Sequence, residues 1–385
     1  MSNSDKIFKL KLVEQSYYEK EFDIIKGKEK FTHSLQSLIL NFSKLNSNIP
    51  AYFIDKYTTK GQCVLDPFCA FGTVPTETIL RERISFATDI HGLAVKATSA
   101  KLNPVFFPKL ALSLQMIDVK RLVSLEDYEK YFMPFFNIET YKEILSLKEY
   151  IQNNRNHITN FIELLMLSIL HGPTSNFCSA PTHEEISVLP EKQIKINIKN
   201  KAEPEYRPII PRLLKKASSV LEDHIQANIS NFAEYNKCFL QDPRNLNKIS
   251  SLSVDLILTE LPLYYESDLF KQCWLKNWFC NIGMKTNEYD FYDEASWVDF
   301  MAEALMEFYR VLKLGKRIVF IIKDFSEDNL SYSKDYSKDC SKDCSKLLLD
   351  LINKQMHKYF TPEKCLIQPA DENNISYKHL VIKKI

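Results

Sequence analysis

Two acids frame the first part of the sequence that can hold a ligand. Asp66 closes the apolar run Cys63-Val64-Leu65, and Asp89 closes a second run, Ile84 to Thr88, 23 positions later. An acid placed this way sits at the carboxyl end of a buried strand, where doubly wound sheets bind their ligands. The second acid of such a unit can accept both hydroxyls of a ribose. Between them, Pro67-Phe68-Cys69-Ala70-Phe71-Gly72-Thr73 reads as a loop. In it Gly72 lets the backbone pass close to a ligand, and Thr73 can cap the helix that follows. Taken singly, each Asp is as readily a helix cap. Together with Phe68, Gly72 and Thr73, the pair favours a nucleoside-bearing cofactor.

A second constellation lies far downstream. The apolar run Val254 to Thr259 is followed by Glu260-Leu261-Pro262-Leu263-Tyr264-Tyr265, and Asp242 follows a shorter strand-like stretch, Lys237 to Leu240. A Glu at a strand end can accept a hydrogen bond from an amine. Tyr264 can line a hydrophobic groove. His171 and His183 have no cysteines or carboxylates at ligand spacing, so no metal centre is expected.

These residues need strands and helices to hold them. A helix is expected over about 50–59, a strand over 63–65, a helix over 76–83, a strand over 84–88, strands over 237–240 and 254–259, a helix over 297–312 and a strand over 317–322, which together imply a parallel sheet. The stretch from about 106 to 235 differs in character. It has helical patterns at 141–151 and 160–170, then a polar, Pro-punctuated part from Gly172 to Pro211, and reads as an inserted module. Near the end, residues 332–346 repeat YSKD-YSKD-CSKD-CSK, too short and polar a unit to bury anything, and an exposed loop is expected there.

The chain of 385 residues can form one large α/β domain with an insertion, or two domains. At 45% hydrophobic and 26% charged it has the composition of a folded protein. A formal net charge of +1 excludes a globally basic chain, so any nucleic-acid contact has to come from local patches. Two such patches are Lys192 to Lys201 and Arg207 to Lys216, each of which also reads as a solvated amphipathic strand or helix. Nine cysteines without a CxxC pair read as reduced thiols. No leader or membrane-spanning run is seen, and a cytoplasmic location is expected.

The segment Asp66-Pro67-Phe68…Gly72-Thr73 resembles the DPFxGxGT motif of the amino-group DNA methyltransferases, which act on cytosine N4 or adenine N6. Ala70 stands in place of the first glycine. Thr88-Asp89-Ile90 with Leu93-Ala94 is similar to that family's ribose-binding segment, and Gln241-Asp242 to its segment near the adenine. Phe31-Thr32-His33-Ser34 is similar to a "THS" opening, His171-Gly172-Pro173 to an "HGP" segment, and Ala304 to Lys323 to a widespread helix, turn and strand with its reversal at Gly315. At the catalytic motif, [D/N/S]PP[Y/F/W], the likeness thins. Glu260 replaces the polar residue, Leu261 the first proline and Leu263 the aromatic, while Pro262 matches and Tyr264 can supply a ring one position later.

The resemblance implies a Rossmann-like class I methyltransferase domain over 1–105 and 236–385, with a largely helical target-recognition insertion over 106–235. S-adenosylmethionine is its expected cofactor, double-stranded DNA its partner and a restriction-modification system its setting. Cofactor contacts are expected from Asp66, Pro67, Phe68, Gly72, Thr73, Asp89, Ile90 and Asp242, and acceptor contacts from Glu260, Leu261, Pro262 and Tyr264. Two other readings stay open: an impaired methyltransferase-like nucleic-acid-binding protein, favoured by ELPL, and an RNA guanine-N2 methyltransferase.

Overall fold

A computed structural model describes residues 33–38, 45–125, 127–183, 186–222, 233–262, 272–283, 289, 291, 293–325, 344–368 and 375–385. Seven strands form one sheet in the order β3-β2-β1-β4-β5-β7-β6. They are β1 (Cys63–Asp66), β2 (Ile84–Asp89), β3 (Lys237–Leu240), β4 (Val254–Glu260), β5 (Leu312–Phe325), β6 (Phe360–Gln368) and β7 (Ile375–Lys384). The first five are parallel, and β7 runs antiparallel between β5 and β6. This is the Rossmann-like order of class I methyltransferases. The order reverses between β1 and β4, so a crevice opens beyond the carboxyl ends of those strands.

The central strands are buried on both faces, as a parallel sheet covered by helices requires. On one face lie α1 (Asn48–Tyr57) and α2 (Thr73–Leu80), beside β1 and β4. Helix α10 (Glu294–Val311) packs Trp297, Phe300, Met301, Leu305 and Phe308 into a core shared with Leu65, Ile257 and Phe320. It starts at a reciprocal capping box between Asp293 and Ser296, which explains an onset three residues before the expected Trp297. Helix α2 likewise begins at Thr73, ahead of the expected Thr76, with Pro75 in its first turn, where a missing N–H is harmless.

After β2 comes α3 (Gly92–Lys101), and α4 (Phe107–Gln115) leads into α5 (Ile138–Asn153), α6 (His157–Ile169), α7 (Pro190–Asn200) and α8 (Ile209–Val220) before the chain returns as β3, and α9 (Trp274–Phe279) comes between β4 and α10. Their apolar faces form one core with Leu35, Phe71, Leu93 and Ala97. Segment Lys192 to Lys201, whose alternation suits a strand, is instead most of α7. Pro190 sits at its first position, and Gln193 donates to Asn197 one turn on at 2.8 Å. The chain leaves α10 straight into β5, so the reversal expected at Gly315 is a positive-φ kink (φ 71°) opposite a register shift at Val254/Leu256. The YSKD repeat falls outside the described residues except for its last three. Contrary to the exposed loop expected there, Cys344 and Ser345 are buried at the start of α11 (Cys344–Leu351).

Candidate functional site

Three carboxylates meet at the carboxyl edge of the sheet. Asp66 ends β1, Asp89 ends β2 and Glu260 ends β4. Asp66 is 3% exposed, and its Oδ1 accepts from Thr259 Oγ1 at 2.6 Å and from the Phe68 amide at 3.3 Å. Burial raises its pKa to about 7 against those two bonds, and the Asp89 and Glu260 charges push the same way. Asp89 is also buried. Its Oδ1 takes the His91 N–H at 2.8 Å and its Oδ2 takes the Ala70 N–H at 2.9 Å. Burial raises Asp89 to about 6, and these backbone donors limit the rise.

The loop between these acids is held from beneath by α3. Thr98 Oγ1 donates to the Ala70 carbonyl at 3.0 Å, and the buried Lys101 donates to the Phe71 carbonyl at 2.7 Å. Burial lowers the Lys101 pKa to about 7. Ala70, where the glycine of the resembled motif is absent, still takes a left-handed backbone (φ 42°), tied by Asp89 at its N–H and Thr98 at its carbonyl. Gly72 also has positive φ (82°), and a Cβ on it would lie 2.8 Å from Thr98 Oγ1. The tight approach at Gly72 is therefore between loop and helix. Thr73 does not act as the expected cap. It is the first residue of α2, Gly72 holds the cap position, and no side chain caps that end.

Pro67 is buried and its carbonyl accepts from Thr88 Oγ1 at 3.0 Å. The Phe68 ring points into the core, 5.7 Å from Tyr289 and 6.1 Å from Phe300. Ile90 is buried beside Asp89. Asp242 follows β3 and is gripped by Arg244, whose Nη2 lies 2.7 Å from Oδ2 and whose Nε lies 3.0 Å from Oδ1. The guanidinium also stacks over Phe300 at 5.0 Å.

At the end of β4, Glu260 Oε1 is 2.6 Å from the Nζ of Lys323, a residue of β5 that is 4% exposed. Leu261 is buried in the core and donates its N–H to the Ile321 carbonyl at 2.9 Å. The Pro262 carbonyl accepts the Trp297 indole N–H at 2.9 Å. Tyr264 lies outside the described residues, as do Leu263 and Tyr265. Lys323, Arg244, Trp297 and Tyr289 were not singled out from the sequence. Lys323 alone carried a signal, as a charge ending the apolar run Val319-Phe320-Ile321-Ile322.

The N-terminal Ser34 and its neighbours reach the same loop. Gln36 donates to the Thr73 carbonyl and to Glu77, and Ser34 donates to the Val220 carbonyl of α8 at 2.7 Å. His171 is a buried link: Nδ1 is 2.8 Å from the His183 carbonyl and Nε2 is 3.1 Å from Ser187 Oγ. The two basic patches differ. Arg207 is buried and bonds the Thr174, Phe177 and Ser179 carbonyls, and Arg212 bonds the Ser175 carbonyl. Lys192, Lys195 and Lys199 of α7 are exposed. Among the described residues, no three His, Cys, Asp or Glu side chains are grouped to hold a metal ion, and no helix is long and apolar enough to cross a membrane.

No family model matches the sequence, and no curated protein matches it. Among solved structures it is similar to an rRNA methylase from Streptococcus thermophilus, at 10% identity over 88% of this chain and 96% of that one (TM-score 0.34). It is also similar to geranyl diphosphate C-methyltransferase from Streptomyces coelicolor A3(2), at 6% identity over 88% and 81% (TM-score 0.35). A third is a TehB-like SAM-dependent methyltransferase from Corynebacterium glutamicum, at 9% identity over 87% of each chain (TM-score 0.32). Likenesses of this size assign no activity.

Proposed function

We propose that this chain is a methyltransferase that uses S-adenosylmethionine and acts on an exocyclic amino group of a base in double-stranded DNA, cytosine N4 or adenine N6. The observation that carries the cofactor reading is the convergence of Asp66 and Asp89, buried acids with raised pKa, at the switch point of the sheet. A carboxylate offers about four acceptor positions, and those on Asp89 are partly taken by the Ala70, His91 and Ile90 amides. Capacity remains for a ribose hydroxyl. Asp66 suits a cationic group, because a nearby positive charge restores the ionised form that burial disfavours. The cofactor supplies an electrophilic methyl group on a sulfonium.

For the acceptor, Glu260 is the acid that would take a hydrogen bond from the base amine, and the exposed lysines of α7 would meet phosphates. Restriction-modification is the setting this reading implies. A second reading is favoured by one observation. Lys323 already occupies Glu260 with an ammonium group, as a substrate amine would, so a cofactor-binding fold with little or no transfer fits the same residues. Expression in a methylation-free host, followed by sequencing for modified bases, separates the two. N4-methylcytosine or N6-methyladenine at a recurring sequence supports the enzyme. An unmodified genome from a chain that binds the cofactor supports the second reading, and no binding at millimolar cofactor removes both.

A further inference from the structure

One polar atom at the crevice has no partner. The hydroxyl of Tyr289 is buried and makes no hydrogen bond, although its ring is fully engaged. That ring lies 5.7 Å from Phe68 in the loop after β1, stacks on Phe291 at 5.4 Å and meets Phe300 edge-on at 5.3 Å. Burying a hydroxyl without a partner costs about 1 to 3 kcal/mol, so such a group marks a site where a partner belongs. Burial raises its pKa, and the charges of Asp89, Cys69, Asp242 and Asp66 push the same way. The aromatic contacts fix the ring against the loop that joins β1 to α2.

We propose that the Tyr289 hydroxyl is a binding residue for the nucleoside half of the cofactor, completing its hydrogen bonding only when that nucleoside is present. The inference rests on the cofactor reading above and adds a contact from the segment before α10, which the resembled motifs do not include. Phe68, on which the ring packs, belongs to the loop whose Ala70 N–H is held by Asp89 Oδ2, which puts Tyr289 beside the loop that joins the two acids. The three rings of Phe68, Phe291 and Phe300 hold it without help from the ligand.

The substitution Tyr289→Phe keeps the ring and removes only the orphaned hydroxyl. The expected result is a thermal midpoint for the ligand-free protein equal to or above the wild type, with S-adenosylhomocysteine bound about tenfold more weakly, the loss of about one good hydrogen bond. Methylthioadenosine, which keeps the nucleoside and lacks the amino acid, should weaken by the same factor. An unchanged affinity for both ligands in a wild type that binds them overturns this inference and leaves the cofactor reading intact. A loss for S-adenosylhomocysteine alone, or a lowered midpoint without ligand, also overturns it. A wild type that binds neither ligand overturns both readings.

Discussion

The carboxylate of Glu260 and the ammonium of Lys323 sit 2.6 Å apart at the ends of two adjacent parallel strands. Their exposures are unequal: Lys323 is 4% exposed and Glu260 23%. Removing one partner of such a pair is therefore asymmetric, because the more buried charge suffers more when left alone. Glu260→Gln should destabilise the fold by about 2 to 3 kcal/mol, and Lys323→Met by about 1 kcal/mol or less, since Glu260 can still reach water. Urea denaturation of the two variants checks the order. Equal losses would mean that Lys323 has other compensation. Lys323→Met also removes the ammonium group from Glu260 and should raise amine methylation if Glu260 receives the acceptor.

Asp66 makes stability depend on pH in a stated direction. Its folded pKa of about 7 lies above the ordinary 3.8, so the folded state favours the protonated form. The stabilisation this provides is complete below about pH 4 and is lost as pH rises through 7. Asp66→Asn cannot ionise, and its amide oxygen can still accept from Thr259. The variant should match the wild type more closely at pH 5 than at pH 8, where it should be more stable by a few kcal/mol. Thermal midpoints across that range test the trend. Cofactor affinity of the wild type should rise between pH 6 and 8, as the carboxylate that suits a cation forms, and this rise should vanish in Asp66→Asn.

Gly72 carries two separable constraints. Its backbone is left-handed, which costs an L-residue roughly 1 to 2 kcal/mol, and its missing Cβ leaves 2.8 Å to Thr98 Oγ1. That oxygen holds the Ala70 carbonyl, so it cannot move aside freely. Gly72→Ala should therefore destabilise by about 2 to 4 kcal/mol. In a Thr98→Ala background the 2.8 Å contact with Oγ1 is relieved, while the 3.3 Å approaches to Cα and Cβ of residue 98 and the backbone strain stay, so only part of the loss should return. A double-mutant cycle from chemical denaturation reads the coupling, and strict additivity would show that no contact existed.

Elements with strong period and strong punctuation were legible before the fold. The runs Cys63-Val64-Leu65, Ile84 to Thr88 and Val254 to Thr259 became β1, β2 and β4 because buried parallel strands are largely apolar, Asp255 within β4 being paired with Lys313 and Lys316. Boundaries set by caps were less legible: α10 starts three residues early through the reciprocal bonds of Asp293 and Ser296. Segment Lys192 to Lys201 alternates like a strand yet forms α7, where Pro190 starts the helix and Gln193 and Asn197 reach the Pro181 and Pro134 carbonyls. The cations of Arg207 and Arg212 look the same in sequence as those of α7, and only packing shows that they bind loop carbonyls.

By itself the sequence determined the parts of the site that are local. Asp66 and Asp89 each end an apolar strand, Gly72 stands where a loop meets a helix, and Glu260 ends the strand where a Ser or Asp would stand in the resembled family. Pairings over long separations came only from the tertiary structure: Lys323 on Glu260, Thr259 on Asp66, Thr98 and Lys101 under the loop, and Trp297 on the Pro262 carbonyl. The reason is physical. A strand end announces itself through its own neighbours, whereas the partner of a buried charge is set by which strand lies beside it, and strand order is a property of the folded sheet.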